Sequence, residues 1–529
     1  MKTIMKRLCL AASVTAAVGL ASGAHAQTLR FAGQGDPQTM DPFSQNESFT
    51  NSVNERVYDY LVLRDKQLNF VPGLATSWEQ VSALKWRFKI RQGVKFHDGA
   101  PLTADDVVFS VNRAKEPTSQ IAVYANAVGT PRKVDDFTVE FELAKVNPIF
   151  MEHLQTIYIM NKAWCEAHKA TKPQDFTNKE EAFTALNANG TGPFILVKRE
   201  PGIKTTWKRN PSYWKSVEGN VQEVVYTPIA NDATRTAALV SGEIDFVLDP
   251  PPRDVAKLRN TAGVKIIDGP ENRIVFIGMD QSRDELLYSS VKGKNPFKDI
   301  RVRKALYHAI DIETLRTKLM NGQSFPTGGY TPSTKADFND PKLEARLPFD
   351  LALAKKLMAE AGYADGFEVQ LDCPNNRYIN DEQICVALAA MWEKVGVRTK
   401  VVAIPRVIYF PKLTKLDTSM YMLGWGGAIT DAETTLTPVM RNPGEGGIGS
   451  YNYGRSTNAK FDDLAARSSV EVDPVKRKEL IIAALTEWKE QVHTIPLHRQ
   501  VIPWAARSNL SAVHRADNFF VWEWVTIAK

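Results

Sequence analysis

Between residues 350 and 426 the polarity pattern admits few folds. Asp350 can cap a helix whose Leu351, Ala354, Leu357 and Met358 share one face, and Gly362 can end it. Phe367 to Asp372 is an apolar run of strand length. Ile384, Leu388, Met391, Trp392 and Val395 stripe a second helix, closed by Gly396. Val397 to Ile404 predicts a strand, a short helix runs to about 415, and Met420 to Trp425 is a third strand. Strand, helix, strand, helix, strand predicts a parallel sheet with right-handed crossovers.

The first half is less regular. Residues 29–32 predict a short strand. From 84 to 91, Leu84, Trp86, Phe88 and Ile90 alternate with basic residues, and Phe137 to Leu143 repeats the alternation. Thr103, followed by Asp105 and Asp106, marks a helix start between them. Residues 75–188 therefore read as a small α+β unit of mainly antiparallel strands. Phe194 to Lys198 and Lys204 to Arg209 flank Glu200-Pro201-Gly202 as a hairpin. Strand 223–227, a helix near 232–241 and strand 244–248 predict a βαβ unit.

Residues 1–26 read as an address. A basic start with Lys2, Lys6 and Arg7 precedes an apolar run, Leu8 to Ala21, and Ala24-His25-Ala26 has the small residues of a signal-peptidase site before Gln27. Cys9 lacks the pattern of a lipid anchor. Without those three cations the net charge falls from +6 to +3 over some five hundred residues. That is no footprint for nucleic acid. Export to the periplasm makes disulfides admissible. Cys373 and Cys385 enclose a short loop, and a disulfide, two buried thiols or a metal site all fit the spacing. No His stands beside them to favour zinc. Cys165 reads as a buried thiol.

In open parallel sheets ligands sit beyond the carboxyl ends of the strands. The second half offers three such loops: Pro374 to Tyr378 with Arg377, Pro405-Arg406, and Gly424 to Gly427 around Trp425. The first half offers Gly33 to Asp41 with Gln34, Ile229 to Asn231, and Asp249 to Pro252. Arg377 and Arg406 suit a carboxylate. Trp425 supplies a flat apolar wall, and Gly426 and Gly427 allow close backbone approach. Tyr378 and Asp431 complete the candidates, although Asp431 also fits the cap of a helix beginning near Ala432.

No catalytic motif survives its context, and no cofactor or metal site is expected. Gly444 to Gly449 matches the dinucleotide glycine pattern, but neither a strand precedes it nor a helix follows. His97-Asp98-Gly99 is turn chemistry, and His493 and His498 are poorly spaced for a metal.

Five separated blocks carry a family resemblance. They are Trp86 to Gly99 with Thr103-Ala104-Asp105-Asp106-Val107; Gly190-Thr191-Gly192-Pro193-Phe194; Arg209-Asn210-Pro211-Ser212-Tyr213-Trp214; Ser241-Gly242-Glu243-Ile244-Asp245; and Asp299 to Leu306 with Ala309-Ile310-Asp311. In this order they resemble the extracytoplasmic solute-binding proteins of ABC importers, family 5, the dipeptide, oligopeptide and nickel receptor group. The resemblance implies the type II periplasmic-binding-protein fold: two α/β lobes joined by two hinge strands, with an extra α+β domain in lobe one. Lobe one would be 27–74, 189–280 and 505–529; the insert 75–188; lobe two 281–504. A monomer would enclose a small molecule or short peptide and dock on the transmembrane subunits of an ABC permease. Peptide receptors of this kind hold the ligand backbone as an added strand and anchor its termini with charges. Arg377 falls near the family's carboxylate-binding Arg. The Asp that binds the ligand ammonium, three residues after the Trp, is replaced by Ala428. The resemblance thus implies a peptide-like acid whose amine is modified, absent or anchored elsewhere. A non-peptide acid or metal chelate, a secreted hydrolase, and a periplasmic sensor or chaperone are the alternatives.

Overall fold

The computed structural model describes residues 27–333, 340–427 and 429–528. The segment read as an export signal lies outside the described residues, as does Ala428. One mixed sheet of eleven strands runs through the described chain. At one end Phe367–Pro374 lies between Val397–Ile404 and Met420–Gly426, parallel to both. The crossovers are the helices Asp381–Glu393 and Arg406–Thr414. Leu351–Glu360 begins at Asp350, whose carboxylate accepts the Leu353 N–H at 2.8 Å. This end agrees with the sequence pattern because each element announces itself over a few residues.

At the other end the N-terminal strand Gln27–Gly33 runs parallel to Val221–Pro228 on one side and Phe246–Val247 on the other. Those two flanking strands and the crossover helix Asp232–Ser241 form the βαβ unit that the sequence predicts, and the N-terminal strand occupies the slot between its two strands. Leu29, Phe31 and Ala32 are buried, and a central position covers both faces of this strand and pairs both its edges. The hairpin Phe194–Glu200 with Lys204–Arg209 closes that edge of the sheet.

A separate four-stranded antiparallel sheet has the order Ala75–Ser82, Lys85–Ile90, Thr138–Glu142, Thr130–Asp135. Its helix Ala104–Ala114 starts where the Asp106 carboxylate accepts the Thr103 N–H at 2.9 Å.

Two long antiparallel strands join the lobes. Val264–Met279 and Thr494–Arg507 put Val275, Ile277 and Ile495 into the core of the second lobe. Ile502, Trp504 and Ala506 belong to the core of the first. The ladder breaks between Pro270 and Ile274, so Glu271, Asn272 and Arg273 bulge from it at the crossing point. The sequence reading places a strand near His493 and His498, where Thr494–Arg507 begins, and passes over Val264–Met279. The polar Glu271-Asn272-Arg273 inside an apolar run is the signal that marks the bulge.

Candidate ligand-binding site

The cavity between the lobes lies over that bulge. Tyr60, Tyr124 and Tyr158 come from the first lobe and its insert, and Tyr378, Trp425 and Tyr451 from the second. Trp425 is held in place rather than loose: its Nε1–H donates to Thr434 O at 2.7 Å, and its ring lies 4.7 Å from that of Tyr451. Arg273 donates to Glu271 at 2.8 Å and to Ser48 Oγ at 2.6 Å, so the bulge ties the floor of the cavity to the first lobe.

Glu47 is the residue that sequence reasoning missed. It caps the helix Ser48–Asn54, accepting the N–H groups of Phe49 and Thr50 at 3.0 and 2.9 Å. Its Oε1 lies 3.0 Å from Arg377 Nε and 3.2 Å from Arg406 Nη1, both across the cleft. Glutamate is an uncommon cap, and nothing local marks this one for an interlobe role. Burial would raise its pKa, but Arg406, Arg377 and the two N–H groups prevail and hold it at about 2.

Arg377 and Arg406 are buried, with 9% and 5% of their side chains exposed. Their contacts are ionic and aromatic. Arg377 lies 4.8 Å from the Tyr378 ring and Arg406 5.5 Å from the Phe49 ring. The Nε of each has no hydrogen-bond partner. Gly35 makes room for Arg406, since a Cβ there would stand 2.2 Å from Nη2. Backbone contacts fix both arginines. The Arg377 and Tyr378 N–H groups donate to Asp381 at 2.8 and 3.0 Å, and the Arg406 N–H donates to Asn376 Oδ1 at 2.8 Å. Burial pushes the Asp381 carboxyl up to about 7 against the pull of those N–H groups and Arg377. A disulfide joins Cys373 to Cys385 and closes the loop that carries Arg377, Tyr378 and Asp381.

The expected site residues thus divide. Arg377, Tyr378, Trp425, Gly426 and Gly427 line the cavity. Gly426 sits where a Cβ would meet Asn272 O at 1.9 Å, so its freedom serves the bulge at least as much as a ligand. Arg406 is behind the wall, on Glu47. Gln34 lies in a second opening of the cleft, with its N–H on Asp249 at 2.9 Å and its amide on Tyr378 O at 3.3 Å. Asp431 is not among the cavity walls. It caps Glu433 N–H at 2.9 Å and receives two hydrogen bonds of 2.7 Å from Arg477, so its charge is spent there.

Two α/β lobes, two crossing strands and an aromatic cavity closed between them define a binding protein that captures a small solute by hinge closure. The profile described as bacterial extracellular solute-binding proteins, family 5, middle region, matches residues 69–447. The chain belongs to that family. It is 27% identical over 478 residues to heme-binding protein A of Haemophilus influenzae, covering 85% of this chain and 83% of that one. It is 26% identical over 493 residues to the dipeptide-binding protein of Escherichia coli, covering 88% of each. The Helicobacter pylori periplasmic binding protein DppA, solved with the peptide STSA, superposes with a TM-score of 0.83 at 21% identity, covering 95% of this chain and 98% of that one. The fold is therefore the type II binding-protein fold that the motifs imply.

Proposed function

We propose that this chain is the exported receptor of an ABC importer, which captures a short peptide or peptide-like acid between its lobes and delivers it to an inner-membrane permease without catalysis. The observation that carries the acid is Arg377, the cavity-lining member of a pair of buried guanidiniums, with Arg406 behind it; the two share one oxygen of Glu47, and the Nε of each has no hydrogen-bond partner. Arginine presents five donors, so room for a second carboxylate remains. With Glu271 and Arg273 included, two carboxylates face three guanidiniums, and the Asp381 carboxyl beside them titrates near 7. Glu47 is the only carboxylate lining the main cavity among the described residues, and it is already paired. A free α-amine therefore finds no unpaired carboxylate there.

The relatives named for a dipeptide and for bound peptide make peptides the first class to test. The periplasmic names among them agree with an export signal at residues 1–26. We divide the lobes at 27–74, 189–280 and 505–529 against 281–504; of four core clusters two lie mainly in each lobe, and the insert 75–188 shares the largest with the first lobe.

The protein is to be unfolded, refolded free of solute, and melted with pooled di- to pentapeptides, unblocked in one pool and N-acylated in the other. Ligand at a hundred times its Kd adds about 2.7 kcal/mol, a clear shift in Tm. A shift with acylated peptides alone supports the acid-end reading. A shift with unblocked ones means another acid takes the amine. Silence in both pools rejects peptides and moves the search to non-peptide acids and chelates. With a ligand in hand, Arg377→Ala is expected to cost about 1.5–3 kcal/mol, the worth of a hydrogen bond to a charged group. Unchanged affinity in calorimetry discards the assignment.

A further inference from the structure

The main cavity has a neighbour. Tyr124 lines both it and a second chamber between the insert and the second lobe. Val123, Val146, Pro438 and Ile448 give this chamber apolar walls, and the exposed Lys145 and Glu445 stand at it with opposite charges. Two buried polar side chains lie among its walls, one from each lobe. Asn147 Oδ1 accepts the Ile149 N–H, so its Nδ2 donates to Ala127 O at 2.8 Å and to His153 Nδ1 at 3.0 Å. His153 is therefore neutral, with its proton on Nε2. Glu433 is 5% exposed. Its Oε1 takes the Thr437 hydroxyl, and its Oε2 has no partner. Arg477 is held by Asp431, whereas Arg441, itself a wall of the chamber, lies 4.0 Å from Asp462 and its Nε has no hydrogen-bond partner.

A buried carboxyl oxygen without a donor is costly, and native structures rarely leave one. We infer that this chamber is a second binding subsite, which takes an aliphatic ammonium group on Glu433 Oε2 with its hydrocarbon against the apolar walls. The inference extends the proposed function and rests on it only for capture between the lobes. Burial, with Asp431 adding to it, pushes the Glu433 carboxyl up to about 7 against the Thr437 hydroxyl and the charges of Arg477 and Arg441. The empty chamber can hold a proton there, and an arriving ammonium displaces that proton to solvent and leaves an ion pair. Because the walls come from both lobes, occupation favours the closed form.

Pentylammonium chloride is the probe and 1-pentanol its uncharged control, titrated calorimetrically into refolded, solute-free protein. Pentylammonium is expected to bind about tenfold tighter than pentanol. Glu433→Gln is expected to bring the two to about equal affinity. Ile448→Trp, which fills the chamber without touching its charge, is expected to abolish binding of both, and guards against a Glu433 variant that folds poorly. Equal binding of the two probes by the unaltered protein overturns the inference. So does a preference that survives Glu433→Gln, or no binding of pentylammonium at millimolar concentration. Arg377→Ala, which tests the acid site, is expected to leave the ratio of the two probes unchanged, so the two readings fail separately.

Discussion

Glu47→Gln is expected to open the ligand-free protein and to weaken capture. The Phe49 N–H uses Oε1 and the Thr50 N–H uses Oε2, so glutamine keeps one of the two cap hydrogen bonds of the helix Ser48–Asn54. What is lost as well is the one charge that faces Arg377 and Arg406 across the cleft. In the closed form both guanidiniums are then buried without their nearest counter-charge, and Glu271 and Asp249 remain as more distant ones. Removing one partner of a buried ion pair costs about 3–5 kcal/mol. In the open form both arginines reach water, so the penalty falls on closure rather than on folding. Small-angle scattering of the free variant is expected to show a larger radius of gyration than the unaltered protein. Identical scattering and identical affinity would refute the clamp.

The same clamp sets a pH dependence. The Glu47 pKa is held at about 2 when the clamp is made, below the ordinary carboxyl value of 4.5, and opening, which removes the two arginines, raises it. A group whose pKa is lowered by closure supports closure fully above the higher value and loses that support as pH falls through the lower one. The difference is worth at most about 3 kcal/mol, since the helix N–H groups act in both forms. Scattering from about pH 5 to about pH 3 is expected to report progressive opening, and Glu47→Gln is expected to flatten the profile.

The paired change Cys373→Ala and Cys385→Ala is expected to lower stability by about 3 kcal/mol, the loop-entropy value for a closed loop of ~15 residues. Both sulfurs are buried, and alanine leaves no unpaired polar group in their place. The loop they close carries Arg377, Tyr378 and the Asp381 that accepts their N–H groups. Affinity for an acid ligand is therefore expected to fall as well, through a looser arginine rather than a lost contact. Denaturant midpoints of the two proteins check the first effect, and reductant added to the unaltered protein should reproduce it. Equal midpoints would show that the bridge constrains nothing.

The parallel sheet of the second lobe, the hairpin at 194–209 and the antiparallel insert were legible along the chain because their causes are local. Alternation at Trp86, Phe88 and Ile90, the cap at Asp350 and the terminators Gly362 and Gly396 each act within a few residues. The loops carrying Arg377 and Trp425 followed, since strand ends in a parallel sheet dictate where ligands gather. Other features had no local cause. The N-terminal strand entered between the two strands of a βαβ unit, a place nothing in residues 27–33 specifies, because a buried segment needs cover on both faces and pairing on both edges. Asp431 was spent on Arg477, an arginine 46 residues away. Glu47 met Arg377 and Arg406 only because the strands Val264–Met279 and Thr494–Arg507 bring two separately built lobes face to face. Periodicity and capping are short-range and determined the elements. The charge balance of the cleft depends on which distant groups share one low-dielectric space, and only the tertiary structure decided that.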